Sequence, residues 1–170
     1  MPPLHRFLII PFFVASALPW ALQDQRESRM VYQAVLDSIH GAGRNAYFVA
    51  DQTVSLQPTD RWEQSLRSRA SLPEELVTLL VRTNETPESI DPNWIDSVST
   101  MPADPALEQQ MVGSRWRIAF SRVAFSPDAA TALVYVMEVC GGRCGSGGVV
   151  RLEKEATRWR ISHWEPVMRF

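Results

Sequence analysis

Thr131-Ala132-Leu133-Val134-Tyr135-Val136-Met137-Glu138-Val139-Cys140, running on into Gly141-Gly142-Arg143-Cys144-Gly145-Ser146-Gly147-Gly148, is the most informative stretch of this chain. Leu133, Tyr135 and Met137 fall on one face of an extended strand, and Val134 and Val136 on the other. A strand that is apolar on both faces belongs inside a sheet covered, at least in part, on both sides. Its far end holds the only two cysteines of the chain, Cys140 and Cys144, in a glycine-rich run. Glycines that accept positive φ suit the tip of a hairpin, and the cysteines read as a disulfide across that tip. Closing so small a loop is worth about 2 kcal/mol in the chain-entropy picture. The pair lacks the C-x-x-C spacing of a thioredoxin-like redox site, and two thiolates without a partner cluster do not make a metal site.

Three further strand-like runs flank this one, at 115–125, 148–155 and 158–165. Ser126-Pro127-Asp128-Ala129 places proline at the second position of a turn. Setting Phe125 opposite Ala130 brings Phe120 to Tyr135, Ile118 to Met137, Trp116 to Val139 and Arg117 to Glu138. In the last hairpin, Lys154 opposite Trp159 brings Leu152 to Ile161 and Val150 to His163. Glu153 then meets Arg160, and Glu155 meets Arg158. Such exposed ion pairs are worth at most about 1 kcal/mol each and serve mainly to fix register.

Upstream, Asp24-Gln25-Arg26-Glu27 has the form of a capping box. Tyr32, Val35, Leu36 and Ile39 form the apolar stripe of the helix behind it, which Gly41 ends. Ala46 to Ala50 reads as a strand ending at Asp51. Ser71-Leu72-Pro73-Glu74 repeats the capping pattern before a helix carrying Leu76, Leu79 and Leu80. Residues 83–104 hold several prolines and read as irregular, with one turn near Trp94. The expected fold is α+β: a C-terminal four-stranded antiparallel meander covered by an N-terminal helix and by helices from the middle of the chain.

Residues 1–21 have the pattern of a signal peptide: His5 and Arg6, an apolar run from Phe7 to Val14, then Ala15-Ser16-Ala17. Cleavage is expected after Ala17 or Ala21, leaving 22–170 as a single α+β domain in the periplasm or outside the cell. The apolar run is short for a membrane span and is interrupted by Pro11. The 170 residues suit one domain with a sizeable core. A formal net charge of −2 offers no basic excess for phosphates, so nucleic acid is not an expected partner.

Phe120 to Ser126, Ala132-Leu133-Val134-Tyr135-Val136, Cys140 to Gly148, Leu152-Glu153-Lys154 and Trp159-Arg160-Ile161 together resemble a loose group of uncharacterised exported bacterial proteins. The helix Tyr32-Gln33-Ala34-Val35-Leu36-Asp37-Ser38 is similar to theirs as well. The resemblance covers both ends of the chain. It implies export and a C-terminal meander, and carries no activity, substrate or cofactor with it.

Candidate chemistry is sparse. Ser146 lacks the neighbours of a protease nucleophile, and Gly145-Ser146-Gly147-Gly148 lacks the lysine of a phosphate loop. His40 lies at a helix end, where the dipole favours a cation. His163 alternates with Trp159, Ile161 and Glu165 on one face of the last strand. With Glu165 or Asp51 it has the makings of a general acid–base pair. Trp164 falls on the opposite face beside Arg160, a surface suited to stacking a sugar or aromatic ring. The expected function is an exported, non-enzymatic binding or interaction domain that needs no cofactor or metal. The alternative is a small hydrolase or isomerase-like enzyme built on His163.

Overall fold

The computed structural model of the chain describes residues 20–41, 47–56, 66–69, 71–91, 99–101, 116–140 and 144–169. Helix α1 spans Trp20–Gly41 and strand β1 Tyr47–Ala50. Helix α2 spans Glu74–Thr83, followed by strand β2, Ser99–Met101. Then come β3, Trp116–Phe120, β4, Ala124–Phe125, and β5, Thr131–Cys140. Strands β6, Cys144–Glu155, and β7, Arg158–Arg169, complete the order. The architecture is α+β.

The sheet runs β2-β1-β3-β5-β6-β7, with β4 also pairing β5. β3, β5, β6 and β7 pair antiparallel in chain order, but the sheet is larger than the expected C-terminal four-stranded antiparallel meander and is mixed. β1 lies parallel to both β2 and β3. β2 sits inside the proline-bearing region read as irregular; three residues are too few to show a period of two.

As its two apolar faces require, β5 is buried on both sides. On one side Val134, Val136, Val150, Leu152, Ile118 and Phe120 meet Val31, Tyr32, Val35, Leu36 and Ile39 of α1. On the other, Leu133, Tyr135 and Val149 meet Leu76, Val77 and Leu80 of α2, with Leu66 and Leu72. Tyr32 stacks on Phe120 at 4.8 Å between ring centres.

Two expected caps do not form. α1 starts at Trp20, so Asp24 lies inside it rather than at its end; Ala21, Leu22 and Gln23 are good helix formers and carry the helix through. At α2 the cap position is Pro73, without a side-chain bond. Ser71 is turned toward β7 instead, its hydroxyl donating to Glu165 at 3.4 Å.

The register of β3 is displaced by one residue from the expected one. Trp116 stands opposite Cys140, Arg117 opposite Val139, Ile118 opposite Glu138, and Phe120 opposite Val136. Two local features combine to produce this shift. The turn after Phe125 is wider than a four-residue turn: Ser126 N–H donates to Thr131 O at 2.8 Å and Ala129 takes φ 53°, so Phe125 pairs Ala132. Residues 121–123 then leave the ladder, which takes one residue back. Ser121 N–H donates to Tyr135 O at 2.9 Å, while Ser121 Oγ accepts from Tyr135 N–H at 2.8 Å. A one-residue slip moves every β3 side chain to the other face, so Ile118 and Phe120 join the α1 side and Ile118, not Arg117, stands opposite the buried Glu138.

The last hairpin pairs as expected at its turn, with Glu155 to Arg158, Lys154 to Trp159, Glu153 to Arg160 and Leu152 to Ile161. A bulge then intervenes. Arg151 faces His163 and Val150 faces Trp164, leaving Ser162 as the extra residue; the expected pair Val150–His163 does not form.

Asn84 joins α2 to the break after β3. Fully buried, it donates to Leu80 O at 2.8 Å and Arg122 O at 3.1 Å, and accepts from Arg122 N–H at 2.6 Å. Replacing it with alanine orphans those buried backbone groups. Asn84→Ala is expected to cost roughly 3 kcal/mol in urea unfolding, and a loss under about 1 kcal/mol would contradict this role.

Candidate functional site

The bulge at Ser162 rearranges the residues that the sequence grouped. Trp159 and Ile161 pack on the α1 side, and so does Trp164. His163, registered with Arg151, and Glu165, registered with Val149, lie on the α2 side. The expected face holding Trp159, Ile161, His163 and Glu165 together is therefore split. Trp164 and Arg160 do not share a stacking surface either: Trp164 leans on the core, while Arg160 is exposed and paired with Glu155 at 2.8 Å.

His163 and Glu165 do meet, Nε2 to Oε2 at 3.3 Å. The carboxylate is shared. Arg69 reaches its Oε1 at 3.3 Å, and Ser71 donates to its Oε2. Arg151 adds a bond to Ser71 O at 3.1 Å and an ion pair with Glu153 at 2.9 Å. Glu165 is buried and stands at the centre of this cluster, tying residues 69–71 to β7. Asp51 is elsewhere. It follows β1, four strand spacings or roughly 19 Å along the sheet from β7. There its C=O accepts Ile90 N–H at 2.7 Å, and its charge opposes the lowering of Arg117 by burial. The side chain of His40 lies outside the described residues. Cys140 and Cys144 face each other in register across the β5–β6 tip, and no described cysteine is free.

The more developed site lies where α1 crosses the break after β3. One lobe, of about 500 Å³, is walled by Asp24, Ser28 and Tyr32 of α1 and by Thr53, Glu88, Asp91 and Arg122. A second, of about 430 Å³, is lined by Leu79, Thr83, Val123, Phe125 and Pro127, with Glu27 at its rim. Asp24, Arg122 and Val123 belong to both lobes and form the neck between them. One side is polar and acidic, the other largely apolar.

Arg122 is fixed. Its backbone is held by Asn84, and its Nη1 reaches Glu88 Oε1 at 2.6 Å and Thr83 O at 3.4 Å. Thr53 braces the same loop, accepting from Glu88 N–H at 2.8 Å. Tyr32 donates to Ser121 O at 3.0 Å, and burial raises its phenol further, keeping it a donor. Asp24 has no such clamp among the described residues. Partial burial raises its carboxyl above the usual range, with Arg122 pulling down and Glu88 pushing up. Glu27, one turn on, behaves oppositely. Burial pushes it up, but hydrogen bonds from Lys154 at 2.8 Å and from the Trp159 indole at 2.8 Å outweigh that and lower it.

Asp24 and Arg122 are 98 positions apart and no local pattern links them; the sequence offered only a capping reading for Asp24. On the other flank of α1, a groove of about 690 Å³ runs beside β7, between Met30, Ala34 and Asp37 and the strand residues Arg158–Ile161. His163 lines none of these three clefts. Among the described residues no metal-binding group of three or more His, Cys, Asp or Glu is present, and no helix is long and apolar enough to cross a membrane.

The chain matches no protein-family model, no curated protein and no solved structure.

The two acids of α1 give opposite signatures. A raised carboxyl disfavours the folded state once ionised, so what Asp24 contributes is fully present only below its unfolded value near 3.8 and is lost as pH rises through its folded value. A lowered carboxyl contributes above its unfolded value near 4.5 and loses that contribution as pH falls through its folded value. Relative to the parent, Asp24→Asn is therefore expected to be more stable at pH 7 than at pH 3. Glu27→Gln is expected to be destabilised at pH 7 and to lose that deficit toward pH 3. Urea midpoints at the two pH values check both.

Proposed function

We propose that this chain is an exported, non-enzymatic binding domain that holds a small amine-bearing organic molecule in the cleft between α1 and the β3–β4 break. The observation that carries the reading is Asp24. Its carboxylate stands in the neck between a polar and an apolar lobe, raised by partial desolvation although the residue as a whole is exposed, and without a hydrogen bond or ion pair among the described residues. Among the described residues the one cation beside it, Arg122, is already engaged by Glu88. An ammonium group on Asp24 supplies the missing counter-charge, and its carbon skeleton fits against Leu79, Val123 and Phe125. Among the described lining residues Asp24 and Glu88 outnumber Arg122, which disfavours a carboxylate ligand there.

The alternative, a hydrolase or isomerase-like enzyme using His163 with Glu165, rests on their 3.3 Å contact. Arg69 and Ser71 engage the same carboxylate, so Glu165 is not dedicated to His163. The cluster suits a brace between residues 69–71 and β7 better than a catalytic pair.

Thermal shift with hexylamine and benzylamine, against hexanol and hexanoate, tests the cleft. The amines are expected to raise the melting temperature and the neutral or anionic analogues to do little. Asp24→Asn is expected to weaken amine binding at least about tenfold. Equal shifts from hexanoate, or amine binding unchanged in Asp24→Asn, would remove the reading.

Export and the disulfide Cys140–Cys144 belong to the same proposal. Residues 1–19 lie outside the described residues. Cleavage after Ala17 leaves α1 whole, whereas Ala21 falls within its first turn. The facing register of the two cysteines supports a bridge in an oxidising compartment. Thiol titration of the unfolded, exported protein is expected to find none without reductant and two after reduction.

A further inference from the structure

We infer that the first four residues of β7, Arg158–Ile161, are a docking edge for an extended segment of a partner protein in which acidic and apolar residues alternate. This goes beyond the amine cleft and lies on the other flank of α1.

The backbone supplies the first part of the argument. β7 is the outer strand, and among the described residues β6 is its only partner. Lys154 N–H donates to Ala130 O at 2.9 Å, so Lys154 turns its backbone groups toward the β5 side of β6. The N–H and C=O of one strand residue point the same way. Lys154 and its partner Trp159 are therefore a non-hydrogen-bonded pair. Trp159 aims its N–H and C=O outward, and Ile161, two residues on and still ahead of the bulge, does the same. Two donors and two acceptors at strand spacing face away from the sheet.

The rest of β7 is built against pairing. Ser162 and Val167 are extra residues at register breaks, and Pro166 has no N–H. Bulges and prolines are the usual means of blunting a sheet edge. They fall in the second half of the strand and leave 158–161 regular.

The groove of about 690 Å³ lies beside that regular half. Met30 and Ala34 of α1 form its roof, and Trp159 and Ile161 its inner wall. α1 thus flanks the regular half of the edge on that face. Side chains of an added strand on the α1 side would enter the groove and must be apolar.

The opposite face sets the charge. Arg158 and Arg160 alternate with Trp159 and Ile161. On the occupied side of β7, strand β6 meets the arginine face with Glu153 and Glu155, and meets Trp159 and Ile161 with Lys154, which is turned to Glu27 of α1, and Leu152. Arg160 takes Glu155 at 2.8 Å, and Glu153 is taken by Arg151. Arg158 makes no ion pair among the described residues. The side of β7 left unpaired among the described residues presents Arg158 and Arg160 on one face and Trp159 and Ile161 on the other, so acidic residues alternating with apolar ones complement it.

The test uses a capped peptide, acetyl-Ser-Val-Glu-Val-Glu-Val-Ser-amide, with a scrambled control of blocked order (Glu-Glu-Val-Val-Val) and a form N-methylated on alternate amides. Binding to isotope-labelled protein is followed by amide chemical shifts and by hydrogen exchange. The alternating peptide is expected to bind, and to slow exchange of the Trp159 and Ile161 amides at least about tenfold. Scrambling, N-methylation and Arg158→Glu are each expected to weaken it about tenfold or more. Ala34→Phe, which fills the groove and sits on a half-buried helix face, is expected to weaken it while circular dichroism stays unchanged. No binding at millimolar peptide, equal affinity for the scrambled peptide, or unchanged Trp159 and Ile161 exchange would overturn the inference. So would a concentration-dependent dimer that Ala34→Phe disperses, because that result assigns the edge to a second copy of the chain.

Discussion

Three residues that leave the ladder, Ser121 to Val123, govern most of what this protein presents to its surroundings. A strand cannot abandon its partner without orphaning backbone groups, and an orphaned buried group costs about as much as a lost hydrogen bond. Here the cost is met locally. Ser121 Oγ stands in for a backbone acceptor toward Tyr135 N–H, and the Asn84 amide serves both N–H and C=O of Arg122. Tyr32 takes the remaining carbonyl of Ser121. One residue from α1, one from the end of α2 and one from the break itself thus converge. With that arrangement in place, Arg122 leaves the sheet and turns its guanidinium onto Glu88 at the cleft. The same departure from the ladder displaces β3 by one residue and puts Ile118 and Phe120 on the α1 side.

The parts of the fold that sequence made legible are those fixed by repetition. β5 announced two covered faces, because Leu133 and Tyr135 alternate with Val134 and Val136, and α1 and α2 provide the covers. The β6–β7 turn could be registered because Glu153, Glu155, Arg158 and Arg160 repeat at a spacing of two. What escaped is what breaks repetition. Nothing in Ser-Arg-Val differs from strand sequence until Asn84, 37 positions before Ser121, is known to be its neighbour. The Ser162 bulge is equally silent, since β7 keeps its alternation through it. β2 and the parallel pairing of β1 depend on long-range closure and leave no local trace. The site suffered the same way: His163 and Glu165 were legible as an i, i+2 pair, whereas Asp24 and Arg122 come from distant elements.

Close packing explains why the glycine-rich start of β6 is more than a loop continued. A side chain at Gly148 would stand 2.7 Å from Glu165 O and 3.1 Å from the Trp164 ring, and one at Gly147 would strike the Tyr135 hydroxyl at 2.2 Å. Both faces of the strand are occupied there, one by Tyr135 and the other by Trp164. The glycines let these two aromatic side chains approach the backbone closely on either face of the strand.

The Ser162 bulge plays for β7 the part that Ser121 plays for β3. Continued without it, β7 would carry His163 and Glu165 onto the α1 side, among Trp159, Leu152 and Val150, with no described partner for a carboxylate. Trp164 would turn to the face that holds Arg69 and Arg151. One inserted residue reverses both placements. The indole reaches the apolar cluster, and Glu165 meets Arg69, Ser71 and His163. Burying an unpaired carboxylate costs several kcal/mol, far more than one lost ladder bond of about 1 kcal/mol. The irregularity is therefore the cheaper arrangement for this sequence, and it also ends the regular edge at Ile161. The same local economy that satisfies Glu165 thus limits how much of β7 is left to pair with anything else.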